Sequence, residues 1–236
     1  MRTENEIKIF NEYLNTSLKR CNKCRGADKN CKCFSKIKIK SELYKACVPK
    51  KFWFVPEDHI TCDKRLSKSA IGFYAKNLNK VFKNGYGLFF CGLNGVGKTT
   101  SGAYILEHVI KKGRTVYYTT AVDLDRNFKR GFENKDLLKR INFMLSSDLI
   151  FLDEMGKESV SNKKTWINGE IGRFLKQRYD NGKPTILATN LGFNSFYNLY
   201  GSTVKSMISG RYRSVIFPTF DYRTIDNSKM VEDMEY

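Results

Sequence analysis

The chain has no apolar run approaching the length needed to span a membrane. Its first ten residues mix charged and apolar side chains and lack the apolar core of a signal peptide. These absences predict an intracellular, cytoplasmic protein with no membrane partner. Acid is scarce: 24 Asp and Glu stand against 42 Lys and Arg, a formal net charge of +18. Such a shortage of carboxylate favours a polyanionic partner, most simply nucleic acid; a lysine-rich proteome is the other source of such an excess. The excess is uneven, with 20 basic and 8 acidic side chains in residues 1–83 against 22 and 16 in residues 84–236. Proline is rare, and two of the four, Pro49 and Pro56, break regular structure in the same stretch. No internal repeat is present.

What is there is organised around one loop. Gly92-Leu93-Asn94-Gly95-Val96-Gly97-Lys98-Thr99, followed by Thr100, fits G-x-x-x-x-G-K-[ST]. It follows the apolar run Leu88-Phe89-Phe90-Cys91 and opens a run of helical period through Ala103, Ile105, Leu106, Val109 and Ile110, closed by Gly113. A strand–loop–helix of this kind wraps backbone N–H groups round a phosphate and points a helix N-terminus at it. Lys98 would reach the β- and γ-phosphates, and Thr99 would ligate Mg²⁺.

A second signal lies 55 residues beyond Lys98, where the apolar run Leu149-Ile150-Phe151-Leu152 ends in Asp153-Glu154. The first carboxylate would belong to the Mg²⁺ shell, and the second would orient and polarise an attacking water. A further strand, Thr185 to Asn190, ends in an amide that could help fix that water. Arg114–Thr120 and Ser214–Phe217 read as two more strands. Helices are expected over residues 3–20, 66–83, 121–130, 136–146 and 162–180, the last with Trp166, Ile171, Phe174 and Leu175 as its apolar stripe. Strands alternating with helices behind a P-loop predict an α/β fold with a parallel sheet.

Seven cysteines are present, and four are bunched as C-x2-C-x6-C-x-C at Cys21, Cys24, Cys31 and Cys33. Four thiolates can close a tetrahedral Zn²⁺ cage in a segment with too few apolar residues to fold alone. Cys47, Cys62 and His59 lie farther off and read as ordinary thiols and a surface imidazole. The aromatic run Phe52-Trp53-Phe54 beside Lys50 and Lys51 could stack on bases, but closing over a core edge is the favoured reading. Arg126, Lys129, Arg130, Lys135, Lys139 and Arg140 make either a nucleic-acid ridge or a solvated helix face. The first helix, with Ile7, Phe10, Leu14 and Leu18, serves either its own domain or a partner.

The order of these features resembles the DnaC/DnaI-type helicase loaders of bacteria and phages. The resemblance is carried by the four cysteines, the Tyr44-x-x-Cys47-Val48-Pro49-Lys50-Lys51-Phe52 run, the P-loop, Leu152-Asp153-Glu154, Arg178-Tyr179, Lys183-Pro184-Thr185-Ile186 and Thr189-Asn190-Leu191. It implies an AAA+ P-loop ATPase with a five-stranded parallel sheet, hydrolysing ATP between neighbouring subunits of a homo-oligomer. With a domain boundary placed near residue 45, ahead of the stretch that Pro49 and Pro56 break, it makes the N-terminal helix and zinc segment (1–45) the part that grips the helicase and the remainder (46–236) the ATPase domain. Residue by residue, it implies Asn190 at the sensor-1 position, Arg211 or its neighbour Arg213 as the arginine finger, and Arg223 as the sensor-2 arginine. The partners implied are a hexameric replicative helicase and single-stranded DNA. The competing expectations are an IstB-like transposition helper ATPase on duplex DNA, a non-catalytic DNA-binding adaptor, and a small-molecule phosphotransferase.

Overall fold

The computed structural model describes residues 2–19, 21–57, 60, 67–131, 134–157 and 164–218. His59, Cys62, the Trp166 side chain and Arg223 lie outside the described residues. Five strands form one parallel sheet: β1 (Gly87–Cys91), β2 (Val116–Thr120), β3 (Leu149–Met155), β4 (Thr185–Thr189) and β5 (Tyr212–Ile216), in the order β2-β3-β4-β1-β5. The bodies of the central strands β1, β3 and β4 are apolar because both faces are covered, and polar residues stand only at the ends of β3 and β4. Every residue of β1 and of β4 is buried.

The helices are α1 (Glu4–Lys19), α2 (Lys32–Lys45), α3 (Ser67–Lys76), α4 (Leu78–Asn84), α5 (Lys98–Lys111), α6 (Ala121–Gly131), α7 (Lys135–Ser146), α8 (Lys164–Asp180) and α9 (Phe193–Arg211). One core layer packs α3, α4 and α5 on the sheet face that carries Leu88, Phe90, Phe151 and Ile186. The other packs residues of α6 to α9 on the face that carries Phe89, Ile150, Leu152 and Leu187. Alternation along each strand divides the two sets. Helix α5 lies close over β3 because Gly102 has no Cβ; one built there would sit 2.2 Å from the Phe151 ring. α1 starts with a reciprocal cap, in which the Thr3 N–H donates to Glu6 Oε2 (2.7 Å) and the Glu6 N–H to Thr3 Oγ1 (3.2 Å).

Several sequence expectations are revised. The helix expected over 66–83 is two helices, α3 and α4, broken at Asn77. The last strand begins at Tyr212, two residues earlier than expected. Helix α2 was not anticipated. Its Leu43, with Ala46 and Val48 beyond it, enters the core of the P-loop layer. The Tyr118 N–H donates to the Ala46 carbonyl (2.8 Å), so the segment after α2 covers the edge strand β2. Residues on both sides of position 45, Leu43 and then Ala46 and Val48, thus share one core cluster.

The aromatic run closes that core edge, as favoured from the sequence. Phe52, Trp53 and Val55 pack against it, and the Trp53 indole N–H donates to the Val48 carbonyl (2.8 Å). α1 docks here too. Phe10 stacks on Tyr44 (4.0 Å) and meets Trp53 edge-on (5.9 Å), while Leu14 and Leu18 are buried. Ile9 and Tyr13 of the same helix stay exposed.

Candidate functional site

The P-loop leaves the C-terminal end of β1 and enters α5. Gly95 (φ 75°) and Gly97 (φ 92°) take left-handed backbone where a Cβ would be strained, and Gly97 is the residue from which α5 starts. Val96 is buried and anchors the loop from beneath, whereas Asn94 is exposed. Thr100 stands half-buried in the first turn of α5.

The side chains named from the sequence converge. The Lys98 Nζ donates to the carbonyls of Gly92 (2.7 Å) and Leu93 (2.6 Å) and to Asn190 Oδ1 (2.7 Å). The Asn190 amide N–H donates in turn to Asn94 Oδ1 (2.7 Å). Asn190 thus ties the end of β4 to the loop on β1. Thr99 Oγ1 donates to Asp153 Oδ2 (2.7 Å), which brings α5 and β3 together as the spacing of the two motifs anticipates. Asp153 is 2% exposed, and burial pushes its carboxyl above the usual range. Donors oppose that push: Thr99, the Glu154 N–H on Oδ1 (2.8 Å), and the Tyr118 hydroxyl on Oδ2 (3.2 Å).

At Glu154 the β3–β4 register slips between Leu152 and Met155, and the residue has φ 56°. A left-handed non-glycine residue inside a strand is strained, and such strain gathers at functional positions. The turn is held from two sides. Thr189 Oγ1 donates to the Met155 carbonyl (2.8 Å), and the Gly156 N–H donates to the Tyr200 hydroxyl of α9 (2.9 Å). The Glu154 carboxylate is about half-exposed and paired with Lys157 (2.8 Å).

Arg211 is not at this site. It ends α9, just before Tyr212 pairs with Gly87 at the start of β1, whereas the P-loop leaves from Cys91 at the other end. Four residue steps along β1 separate the two ends, roughly 13 Å. The Arg211 guanidinium lies over the Tyr179 ring (4.2 Å) and donates to the Tyr179 carbonyl (2.9 Å). Arg213 is exposed on the edge strand β5. On the basic ridge, Arg126, Lys129 and Lys139 pair with Asp123, Asp125 and Asp136 of their own helices.

Two residues were missed. Tyr118 is one, because its link to Asp153 depends on strand register. Arg178 is the other: wholly buried, it donates to the carbonyls of Met144, Leu145, Ser147 and Pro184 and to Thr185 Oγ1. It fastens the end of α7 to the start of β4.

The four cysteines form one cluster, with their Sγ atoms all within 4.8 Å of one another and Cys24 and Cys33 3.3 Å apart. Cys21 precedes and Cys24 lies within the turn that ends at Arg25 (φ 47°) and Gly26 (φ 85°). Cys31 is the residue before α2 and Cys33 lies in its first turn, so the helix start accounts for the short C-x-C spacing. Backbone N–H groups of Cys24 and then Lys23 lower the Cys21 thiol to about 6, whereas burial and the neighbouring thiols push Cys33 up. Sulfurs on a tetrahedral Zn²⁺ lie about 3.8 Å apart at ordinary Zn–S lengths, so the donor set fits that ion. Cys47 stands apart, near the Tyr117 hydroxyl (3.8 Å).

The family of IstB-like ATP binding proteins matches residues 79–208, which include the P-loop, Asp153, Glu154 and Asn190. Among curated proteins, the replicative helicase loader DnaI of Bacillus subtilis is 28% identical over 118 residues, 50% of this chain and 37% of DnaI. The loader DnaC of Escherichia coli K12 is 28% identical over 138 residues, 57% of this chain and 55% of DnaC. A putative ATP-binding protein of insertion sequence IS5376 from Geobacillus stearothermophilus is 28% identical over 117 residues, 50% of this chain and 45% of that protein. The chain thus spans about half or less of these relatives. A crystal structure of the DnaC helicase loader superposes with a TM-score of 0.62 at 28% identity, covering 72% of this chain and all of that one. The five-stranded architecture is that of the AAA+ ATPases.

Proposed function

We propose that this chain, which belongs to the IstB-like ATP-binding protein family, hydrolyses ATP to load a hexameric replicative helicase onto single-stranded DNA. The observation that carries the reading is the four-cysteine cluster, which precedes an AAA+ core and is continuous with it through α2. In this reading residues 1–45 grip the helicase, and the folded cluster holds Zn²⁺ through Cys21, Cys24, Cys31 and Cys33. Residues 46–236 form the ATPase, and the protein works in the cytoplasm. No helix among the described residues is long and apolar enough to cross a membrane.

Each site residue then has a task. The loop from Gly92 to Thr100 and the Lys98 ammonium hold the phosphates. Thr99 and Asp153 offer the hard oxygen donors that suit Mg²⁺. That ion, when bound, neutralises phosphate charge. Glu154 orients and polarises the attacking water. Asn190, already on Lys98 and Asn94, fixes the γ-phosphate side of the site. Arg211 sits at the sheet end remote from its own P-loop, which suits an arginine that serves the next subunit; the site is then completed in a homo-oligomer, and Arg223 is the sensor-2 arginine. The basic surplus of the chain suits contact with single-stranded DNA.

A second reading, a transposition helper acting on duplex DNA, is favoured by the equal identity to the IS5376 protein. The test is transfer of a purified replicative helicase to circular single-stranded DNA. The loader reading expects strand unwinding to require this chain and ATP, and to be lost with Lys98→Ala. Helicase activity indifferent to the chain would overturn it.

A further inference from the structure

We propose that Tyr118 is a positioning residue for Mg²⁺ at the nucleotide site, holding Asp153 through its hydroxyl. The inference rests on the assignment of Asp153 and Thr99 as the magnesium-side residues.

Strand register puts Tyr118 in place. It pairs with Phe151 on the neighbouring β3, and Asp153 lies two residues farther along the same face. On one face of a sheet such diagonal neighbours are within reach of an aromatic side chain. The ring packs edge-on against Phe151 (5.4 Å), which aims the hydroxyl along the strand toward the carboxylate. There it donates to Asp153 Oδ2 at 3.2 Å, the same oxygen that accepts from Thr99 Oγ1 at 2.7 Å. The Glu154 N–H holds the other oxygen at 2.8 Å. Asp153 therefore has three donors fixing its plane, from β2, β3 and α5.

The tyrosine cannot easily drift. Its backbone N–H is bonded to the Ala46 carbonyl (2.8 Å), which pins the outer edge of β2. A donor fixed by packing keeps the carboxylate correctly turned. Were Thr99 to ligate the ion instead, Tyr118 would still donate to Oδ2.

A hydrogen bond to a charged acceptor supports about a tenfold change in Mg²⁺ affinity. The experiment titrates Mg²⁺ into the full chain with a fluorescent, non-hydrolysable ATP analogue and compares wild type with Tyr118→Phe, which keeps the ring. Thr99→Ala serves as the reference for a damaged magnesium side. Binding is also measured in EDTA, where only the loop and Lys98 hold the analogue. The expected result is a Mg²⁺ midpoint about tenfold higher in Tyr118→Phe, with binding in EDTA equal to wild type. An unchanged midpoint overturns the inference. So does a loss of equal size with and without Mg²⁺, which would make Tyr118 a support of the fold alone. If wild type shows no Mg²⁺-dependent binding while folded, the assignment of Asp153 and Thr99 fails, and the inference falls with it.

Discussion

Replacing Arg178 with methionine keeps most of the side-chain volume and removes every donor. In the native chain the guanidinium is wholly buried and makes five hydrogen bonds: to the carbonyls of Met144 (2.7 Å), Leu145 (3.1 Å), Ser147 (3.0 Å) and Pro184 (2.7 Å) and to Thr185 Oγ1 (3.1 Å). Burial lowers its pKa to about 10, so it is still a cation at neutral pH. Three of the carbonyls belong to the last turn of α7 and the residue after it, where the helix dipole favours positive charge. Each buried acceptor left unpaired costs roughly 1–3 kcal/mol. Water entering the gap and other donors recover part of this, so a net loss of about 4 kcal/mol is expected, at the top of the range for one substitution. For a chain of this size that lowers Tm by roughly 8–16 °C. Arg178→Lys restores charge without the planar fork and should lose about half as much. Thermal unfolding followed by circular dichroism, without nucleotide, checks both. A loss below about 1 kcal/mol for Arg178→Met would refute the reasoning that these carbonyls depend on the guanidinium.

Three other outcomes are expected. Arg211→Ala should bind ATP but lose turnover, and mixing it with Glu154→Gln should restore activity; no restoration counts against an arginine acting on the neighbouring subunit. Elemental analysis should give about one zinc per chain, and chelation should unfold residues 21–33; a folded, metal-free protein contradicts the zinc site. For Asp148, burial raises the carboxyl, but the Thr115 N–H and hydroxyl, with Lys183 and Arg114, outweigh it and bring the pKa below its ordinary 3.8. The folded value is the depressed one. Its stabilisation is therefore present above pH 3.8 and lost as pH falls through the folded pKa. Asp148→Asn should flatten the stability profile in that window; an unchanged profile would remove Asp148 as a contributor.

The nucleotide site was legible because its chemistry sits at strand ends and needs fixed residue types in short spacings. Lys98, Thr99, Asp153 and Asn190 could each be named from local pattern, and the sheet brings them together. Helix α2 was not legible. Its apolar residues Ile37, Ile39 and Leu43 are separated by lysines without a clean helical stripe, and it is positioned by the cysteine turn before it and by Leu43 entering the core. The break at Asn77 was hidden because apolar spacing continues through it. The Asn77 side chain there turns back to the Phe73 carbonyl (2.8 Å). From the sequence Arg178 stands out only as part of a phrase shared with the loader family, since nothing in its neighbours announces that four carbonyls converge on it from the end of α7 and the β4 approach. Tyr118 meets Asp153 across 35 residues. A strand pattern predicts which residues share a face but not which strand lies alongside.

The loader reading stands most directly on native mass spectrometry of this protein mixed with a replicative helicase from the same cells, with and without ATP. The account predicts a defined complex of helicase hexamer and loader copies whose composition changes with nucleotide. No such complex, with ATP-dependent assembly on duplex DNA instead, would contradict it and favour the transposition helper.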